Sequence, residues 1–151
     1  KVVYLRNFKI GGMPQQAASL GIKYNSPKYW YAGINFNYFA DIYLSPNPDR
    51  RTAEATSAYG NEYPYRDDII DQTKLSDGNA VNLFCGKSWK IYKNNSYIRL
   101  GLNVNNLLDN TSFKTGGFEQ LRYDASNIQR FPNKYGYMYG RTYFLMVSYL
   151  F

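Results

Sequence analysis

The last fifteen residues, Tyr137-Met-Tyr-Gly-Arg-Thr-Tyr-Phe-Leu-Met-Val-Ser-Tyr-Leu-Phe151, constrain the fold of this chain more than any other stretch. Alternate residues fall into two sets, as the side chains of a β-strand do. One set is wholly apolar or aromatic: Tyr143, Leu145, Val147, Tyr149 and Phe151. The other set is mixed. A long strand that has one apolar face and ends on an aromatic residue is typical of a transmembrane β-barrel, in which the apolar face meets lipid. A core strand of a soluble β-sandwich shows the same alternation and stays open as an alternative.

The composition fits a barrel wall, in which only every second residue faces lipid. The chain carries 17 Tyr, 9 Phe and 2 Trp in 151 residues, yet its mean hydropathy is −0.54. It has no apolar run of about 18 residues, the length that a transmembrane helix needs. The sequence therefore predicts an all-β protein of the outer membrane.

Four further segments are predicted to be strands: residues 17–24, 29–41, 79–92 and 97–108. The third is the weakest, and Gly86 suggests a bulge in it. In the last, a row of Leu, Ile and Val alternates with Arg99, Gly101, Asn103 and Asn105. Arg at the bilayer midplane costs about 2–4 kcal/mol whereas Leu costs nothing, so we expect the apolar row to face lipid and the Asn/Arg row to line a wet interior. The residues predicted to face lipid are Trp30, Ile34, Phe36, Ile98, Leu100, Leu102, Val104, Tyr143, Leu145, Val147, Tyr149 and Phe151.

The connections between the predicted strands alternate in length. Residues 25–28 and 93–96 are short turns, whereas residues 42–78 and 109–136 are much longer than an ordinary hairpin loop. Short turns on the periplasmic side and long loops outside are a second, independent feature of outer-membrane barrels.

The residue types exclude several kinds of chemistry. Without His, the chain has no Ser-His or Cys-His nucleophile and no His-ligated zinc, and the single Cys85 excludes an internal disulfide. No residue is assigned a catalytic role, and no cofactor is predicted. Oxygen ligands for a cation are present at Asp67, Asp68, Asp71 and Asp77, but their spacing matches no metal-binding loop and favours a solvated acidic segment. The net charge of +7 is spread along the chain, which argues against a nucleic-acid partner.

Several motifs carry a resemblance to a known family. These are Gly11-Gly-Met-Pro-Gln15, Asn25-Ser-Pro-Lys-Tyr-Trp30, Asn47-Pro-Asp-Arg-Arg-Thr52, Val104-Asn-Asn-Leu-Leu-Asp109, Gly116-Gly-Phe-Glu-Gln120, Phe131-Pro-Asn-Lys-Tyr135 and the ending Tyr149-Leu-Phe151. Together they resemble the C-terminus of TonB-dependent outer-membrane transporters of the SusC type found in Bacteroidota. The resemblance covers essentially all 151 residues.

The resemblance implies five or so antiparallel strands at the C-terminal end of a barrel of about 22 strands, with long extracellular loops and a plugged lumen. It implies uptake of oligosaccharide or oligopeptide, driven by the TonB complex, with a SusD-type surface lipoprotein as a lid. The chain opens without an initiator Met or a signal peptide, so we expect it to be part of a longer protein whose plug and TonB contact lie elsewhere. Two alternatives remain: a non-transporting barrel, such as an adhesin, a porin-like protein or an accessory subunit of an envelope complex, and a soluble carbohydrate-binding β-sandwich.

Aromatic residues in the long loops are candidates for contact with cargo or with the lid, because aromatic faces stack on sugars and pack on peptides. They are Tyr59, Tyr63, Tyr65, Phe113, Phe118, Tyr123, Phe131 and Tyr135. Packing of the loops on one another is the alternative for this set.

Arg141 alternates with the apolar set of the last strand and lies ten residues before Phe151. Because 9–11 residues span the bilayer, we expect Arg141 at the outer interface. A guanidinium group there can bind a lipopolysaccharide phosphate bidentately. The alternative is a side chain that extends into water or pairs with a loop carboxylate.

Overall fold

A computed structural model of the chain describes residues 1–58, 60, 62–91, 96–124 and 127–151. The strands are β1 (Pro14–Asn25), β2 (Trp30–Ile42), β3 (Gly78–Ile91), β4 (Ser96–Asn105), β5 (Lys114–Phe118), β6 (Lys134–Tyr137) and β7 (Thr142–Leu150). Two short helices, α1 (Ala53–Ala58) and α2 (Arg66–Ile70), and two 3-10 turns, Pro48–Arg51 and Ile128–Arg130, complete the described elements. None of the described helices is long and apolar enough to cross a membrane.

Five strands form one sheet in the order β1-β2-β3-β4-β7, and β5 and β6 pair separately. The all-β prediction is confirmed, and all five predicted strands are present with shifted ends. The closing strand begins at Thr142, whereas residue 137 belongs to β6. The two predicted long connections are present, and they contain the described helices, the 3-10 turns and the β5–β6 hairpin, none of which was predicted.

The pairing of β4 with β7 places the predicted apolar residues on one side of the sheet. Ile98 lies opposite Tyr149, and Leu102 lies opposite Leu145. Directly opposed residues in an antiparallel pair point to the same side, so these two strands share one apolar face. Their other residues, such as Asn103 and its partner Phe144, form a mixed face on the opposite side.

The third strand pairs with β4 in unbroken register from Leu83, opposite Val104, to Ile91, opposite Ser96. The bulge predicted at Gly86 is therefore absent from this described pairing. At 14 residues, the strand that the sequence marked as weakest is the longest that the structure describes.

The contacts between the described residues divide the chain into two compact units. We call the first the loop unit; it comprises Lys1–Gln16, Phe39–Asp77 and Phe113–Tyr137. We call the second the sheet unit; it comprises Ala17–Tyr38, Gly78–Ser112 and Met138–Phe151.

The short turn predicted at residues 25–28 connects β1 and β2 of the sheet unit. The amide of Ser26 donates to the carbonyl of Trp30 at 2.8 Å, and the hydroxyl of Ser26 accepts from the amide of Lys28 at 3.2 Å. Tyr29 closes the turn at φ 60°, a left-handed conformation that is uncommon for a tyrosine. Of the turn predicted at residues 93–96, residues 93–95 lie outside the described part of the chain, and Ser96 is the first residue of β4.

Aromatic rings cover glycines on the mixed face of the sheet unit. The ring of Phe84 contacts the position where a Cβ on Gly33 would stand, and the carbonyl oxygen of Ile22 lies 2.8 Å from that position. Only glycine leaves room for this approach. The ring thereby packs flat against the backbone of a neighbouring strand.

Asn106, of the motif Val104-Asn-Asn-Leu-Leu-Asp109, organises the end of β4. It is 5% exposed, its side-chain oxygen accepts from the amide of Asn110 at 3.0 Å, and its side-chain amide donates to the carbonyl of Tyr139 at 2.9 Å. Its own amide donates to the side chain of Asn82 at 3.0 Å. The motif therefore forms a turn in which the buried Asn106 fixes the segment leading into β7.

One residue predicted to face lipid is covered instead. Val104 is only 6% exposed and lies between Leu83 on β3 and Tyr143 on β7. This burial contradicts the prediction that Val104 contacts lipid, because less than a tenth of the residue is open to any solvent. The other residues of that set are at least partly exposed.

Candidate functional site

A buried ion pair between Arg51 and Glu119 holds the loop unit together. Arg51 has an exposure of 0% and Glu119 of 4%. The guanidinium binds the carboxylate bidentately, with Nη2 donating to Oε1 at 2.8 Å and Nη1 donating to Oε2. Its remaining N–H groups donate to the carbonyls of Ile70 at 2.9 Å, Asn47 at 2.9 Å and Asp71 at 2.8 Å. All five donors of Arg51 are satisfied, which is the condition under which a buried ion pair is stable.

This ion pair joins two of the motifs on which the resemblance rests, Asn47-Pro-Asp-Arg-Arg-Thr52 and Gly116-Gly-Phe-Glu-Gln120. The amide of Asn47 donates to Glu119 Oε2 at 2.9 Å, and its side chain donates to the carbonyl of Gln120 at 3.0 Å. Ser45 adds two backbone hydrogen bonds to the second motif, its amide donating to the carbonyl of Gly117 at 3.0 Å and its carbonyl accepting from the amide of Glu119 at 3.1 Å. Two motifs about 70 residues apart in sequence thus form one buried network.

Gly117 belongs to the same network and permits the β5–β6 pairing. A Cβ on Gly117 would lie 2.9 Å from the Cα of Tyr135 and would overlap the carbonyl oxygen of Lys134. Its φ of 143° also disfavours other residues. The hairpin therefore brings the motif Phe131-Pro-Asn-Lys-Tyr135 directly against the motif at Gly116.

A cavity of about 220 Å³ lies beside this network, and we call it the loop cavity. Its aromatic lining consists of Tyr123, Phe131 and Tyr135, which are all half-buried. Its polar lining consists of Arg50, Asp68, Thr73, Asp124, Gln129 and Asn133. Three of the eight aromatic residues predicted to contact cargo are therefore gathered around one cavity.

Arg50 is the most buried charged residue of that lining, at 7% exposure. Its Nη2 donates to the carbonyls of Gln120 at 3.1 Å and Arg122 at 3.4 Å, and its guanidinium carbon lies 5.4 Å from the centre of the Tyr123 ring. Its Nε finds no acceptor among the described residues. Burial lowers the pKa of Arg50 from its ordinary value, while the charge of Glu119 opposes that shift. Arg50 therefore belongs to the cavity lining and carries one buried N–H group that lacks an acceptor among the described residues.

The other aromatic candidates are dispersed. Tyr63 and Tyr65 form an edge-to-face pair with ring centres 6.2 Å apart, and Phe118 is 54% exposed. Phe113 is 7% exposed and stacks on Phe39 with ring centres 6.1 Å apart, so the interpretation of Phe113 as a cargo contact was wrong. It serves the loop-unit core, where its apolar area is removed from water. Tyr59 lies outside the part of the chain that the structure describes.

The acidic residues of the segment 67–77 do not form a metal site in the structure. Among the described residues, no three His, Cys, Asp or Glu side chains come together with the geometry of a metal centre. Asp67 instead pairs with Arg66 at 3.5 Å, and the amide of Asp71 caps the end of α2 by donating to the carbonyl of Asp67.

Arg141 precedes β7 and is exposed. Its amide donates to Asp109 Oδ1 at 2.8 Å. A hydrogen bond with Tyr143 is the main cause that raises the pKa of its guanidinium above the ordinary value, and the charge of Asp109 contributes. These contacts favour pairing within the chain, while lipopolysaccharide binding at Arg141 stays a prediction.

The mixed face of the sheet unit carries a wider hollow of about 540 Å³. The ammonium group of Lys23 lies 4.9 Å from the centre of the Tyr31 ring there, and Nε of Arg99 donates to the hydroxyl of Ser88 at 3.4 Å. Lys23 and Arg99 therefore already contact side chains of the same face. This is expected of polar residues that line a wet interior.

Sequence reasoning missed the charged members of both sites. Arg50, Arg51 and Glu119 lie in motifs of the resemblance but were predicted to have no role of their own. Asp68 was considered only as a cation ligand. A signal was present, because Arg-Arg after Asn-Pro-Asp and a lone Glu in a glycine-rich segment are charges that a plain surface loop does not require. No family model, curated protein or solved structure matches this chain.

Proposed function

We propose that residues 1–151 form the C-terminal strands and long extracellular loops of a transmembrane β-barrel of about 22 strands. We propose further that this barrel is a SusC-type, TonB-dependent transporter of the outer membrane, which imports oligosaccharide or oligopeptide and catalyses no reaction. Its partners on this proposal are outer-membrane lipid, the TonB complex and a SusD-type surface lipoprotein.

One observation carries the proposal: the apolar face of the sheet unit is exposed. On β1, Leu20 and Ile22 are 72% and 70% exposed. On β7, Leu145 and Val147 are 61% and 68% exposed. A contiguous apolar surface that spans several strands is unfavourable in water and marks contact with membrane or with another apolar surface. Lipid against this face removes the penalty.

The mixed face supports a wet interior on the other side of the same strands. Polar side chains bond across strands there: Ser19 to Asn37 at 2.9 Å and Asn105 to Thr142 at 3.3 Å. Polar side chains that bond to one another next to water do not need apolar residues packed over them.

Lys87 is the exception on the apolar face, opposite Leu100. Its ammonium group lies 5.4 Å from the centre of the Trp89 ring, two residues nearer the short-turn end of β3. A long lysine side chain that reaches along an aromatic residue toward the interface keeps its charge hydrated while its stem contacts lipid. Lys87 is therefore compatible with a lipid-facing surface.

The connectivity also supports the barrel. The pairing of β3 with β4 and of β4 with β7 is antiparallel, so Ile91 and Ser96 lie at one end of these strands and the long connection from β4 to β7 starts at the other end. In the described residues β1 and β7 are the edge strands of the sheet, and each leaves a row of backbone groups to be paired. Further barrel strands would satisfy them, since unpaired backbone groups in hydrocarbon cost several kcal/mol each.

The test is uptake by living cells that produce the intact protein. Labelled neutral oligosaccharides and oligopeptides should accumulate when TonB is present and energised, and accumulation should stop when TonB is deleted. The matched control is the protein level in the outer-membrane fraction, which should be equal in both strains.

Two results would contradict the proposal in different ways. Uptake that does not depend on TonB, from a protein inserted in the outer membrane, would indicate a non-transporting or porin-like barrel. Recovery of the protein in the soluble fraction without detergent would indicate a soluble β-sandwich.

A further inference from the structure

The loop cavity is small for a ligand site. Its volume of about 220 Å³ lies below the roughly 300–1,000 Å³ of sites that enclose a drug-sized ligand. It therefore has room for one ring of an oligomer or for one amino-acid side chain, while the rest of a longer ligand would stay outside.

The side chain of Arg50 indicates which chemical group the bound ring or side chain must carry. Its side chain is 7% exposed, two backbone carbonyls occupy its Nη2, and its Nε lacks an acceptor among the described residues. A buried N–H group that has lost its water is stabilised by any ligand oxygen that reaches it. The ligand should therefore carry an oxygen that accepts a hydrogen bond.

The charges around the cavity indicate that this ligand is neutral. Asp124 is already paired with Arg130 at 3.0 Å. That leaves one cation, Arg50, and one anion, Asp68, on the described lining, while the ammonium group of Lys114 is engaged by the Tyr135 ring, 4.0 Å from its centre. A charged ligand would leave one of the two without compensation, whereas a hydroxyl group both donates and accepts and so matches Arg50 and Asp68 together.

The aromatic residues of the lining favour a sugar ring as the ligand. Tyr123, Phe131 and Tyr135 each present part of a ring to the cavity. The face of an aromatic ring carries partial negative charge and attracts the polarised C–H groups on the flat face of a sugar ring. A sugar ring offers an apolar face with several hydroxyl groups at its rim, whereas tyrosine, the nearest amino-acid counterpart, offers a single hydroxyl group at the end of its ring.

We propose that the loop cavity is a binding subsite for one uncharged sugar ring of an oligosaccharide, with Arg50 and Asp68 bonding its hydroxyl groups. This inference deepens the proposed transport function and rests on it for the role of the saccharide as cargo. It narrows the cargo class from oligosaccharide or oligopeptide to neutral oligosaccharide.

The test is equilibrium binding to the intact protein purified in detergent, measured by titration calorimetry. The probes are maltotriose, mannotriose, xylotriose and galactotriose, with trialanine and trilysine as peptide probes. At least one neutral trisaccharide should bind, and neither peptide should. Since no TonB is involved, binding without TonB-dependent uptake would refute the proposed function and leave the subsite standing.

Asp68→Asn is the decisive variant, with Asp67→Asn as its matched control. Both aspartates are exposed and adjacent in α2, but only Asp68 lines the cavity. Loss of a charge-assisted hydrogen bond should weaken trisaccharide binding about tenfold in Asp68→Asn, and Asp67→Asn should bind like the parent. Equal affinity in the two variants would overturn the assignment.

Tyr135→Ala provides a second measurement that does not involve charge. Its control is Tyr137→Ala, in the same strand β6 but outside the cavity lining. Stacking on one aromatic ring is worth about tenfold in affinity, so only Tyr135→Ala should lose it. Binding of a peptide probe with no binding of any trisaccharide, or no binding of any probe, would refute the saccharide subsite.

Discussion

The two units of the chain differ in the exposure of their large apolar side chains. The loop unit encloses Ile42, Leu44 and Ile69 at 1%, 0% and 2% exposure. The sheet unit leaves large apolar residues open on both faces: Leu145 and Val147 are 61% and 68% exposed on the apolar face, and Phe144 is 58% exposed on the mixed face. The loop unit hides these three side chains in a core, as a domain that folds in water does, although Ile10 and Leu121 of the same unit are 70% and 77% exposed. On the proposed function, the loop unit faces water and the apolar face of the sheet unit faces lipid.

The same contrast holds for charge. The loop unit buries an arginine and a glutamate and satisfies the donors of that arginine within the protein. In the sheet unit, charged and amide side chains lie mainly on the mixed face, and the apolar face carries Lys87 as an exception. The proposed placement, with water on one face and lipid on the other, would account for this division.

The largest effect is expected from breaking the buried ion pair of the loop unit. Glu119→Gln leaves the charge of Arg51 buried without its partner, which should cost about 3–5 kcal/mol of stability. Native-state hydrogen exchange at the amides of Leu44 and Asn47 measures this loss as a lower opening free energy. Asp67→Asn, which removes the exposed partner of Arg66, should change the opening free energy by under about 1 kcal/mol. The double change Arg51→Met with Glu119→Leu should recover much of the loss, and a Glu119→Gln protein as protected as the parent would contradict the account.

A charge on the apolar face of the sheet should have the next largest effect. Leu102→Arg places a guanidinium where lipid is expected and should cost about 2–4 kcal/mol, whereas Asn103→Arg extends into water at little cost. The measurement is the folded fraction in the outer membrane of cells that produce the intact protein, read as heat-modifiable mobility. Equal assembly of the two neighbouring variants would mean that the faces are wrongly assigned.

Filling the space at Gly33 should have an intermediate effect confined to packing. A Cβ there meets the Phe84 ring and the backbone oxygen of Ile22, so Gly33→Ala should destabilise the sheet unit by about 1–3 kcal/mol. Gly101→Ala is the control, because its nearest neighbour, a methyl carbon of Met146, lies at an ordinary 3.5 Å. Thermal unfolding in detergent should separate the two variants, and identical melting would contradict the packing described for the mixed face.

The smallest effect is expected at the surface ion pair of Lys74 with Asp41 in the loop unit. The hydrogen bond and the charge of Asp41 raise the pKa of Lys74 above its ordinary value of 10.5. The contribution of this pair to stability is therefore fully present below that ordinary value and is lost as the pH rises through the higher folded-state pKa. Melting temperatures of the parent and of Lys74→Met should differ slightly at about pH 9 and converge in stronger alkali. A difference that grows with pH would contradict this assignment.

Periodicity predicted the sheet well because its signal is local. The alternation of Leu and Asn in residues 97–108 contains both the strand and the division of its faces, and the register with β7 agrees with it. The same reasoning failed for Val104, since its burial depends on neighbouring strands and not on its own position in the pattern.

The alternation of residue types did not predict the structure of the loop unit, because contacts between residues far apart in the sequence hold this unit together. The partner of Arg51 lies 68 positions away, and the burial of Phe113 depends on Phe39. Short helices such as α1, six residues long, leave no periodic signal. Of the candidate site, the aromatic residues at 123, 131 and 135 were predicted, whereas Arg50 required knowledge of what surrounds it.

The most direct test of the lipid-facing assignment compares two adjacent residues of β7, Val147 and Ser148. A nitroxide spin label is attached in turn to Val147→Cys and Ser148→Cys in the intact protein in bilayers, with Cys85→Ser removing the native thiol. Oxygen partitions into lipid and a nickel chelate stays in water, so the label at 147 should collide mainly with oxygen. The label at 148 should collide mainly with the nickel chelate. Equal access of the nickel chelate to both positions would contradict the claim that one face of this sheet meets lipid.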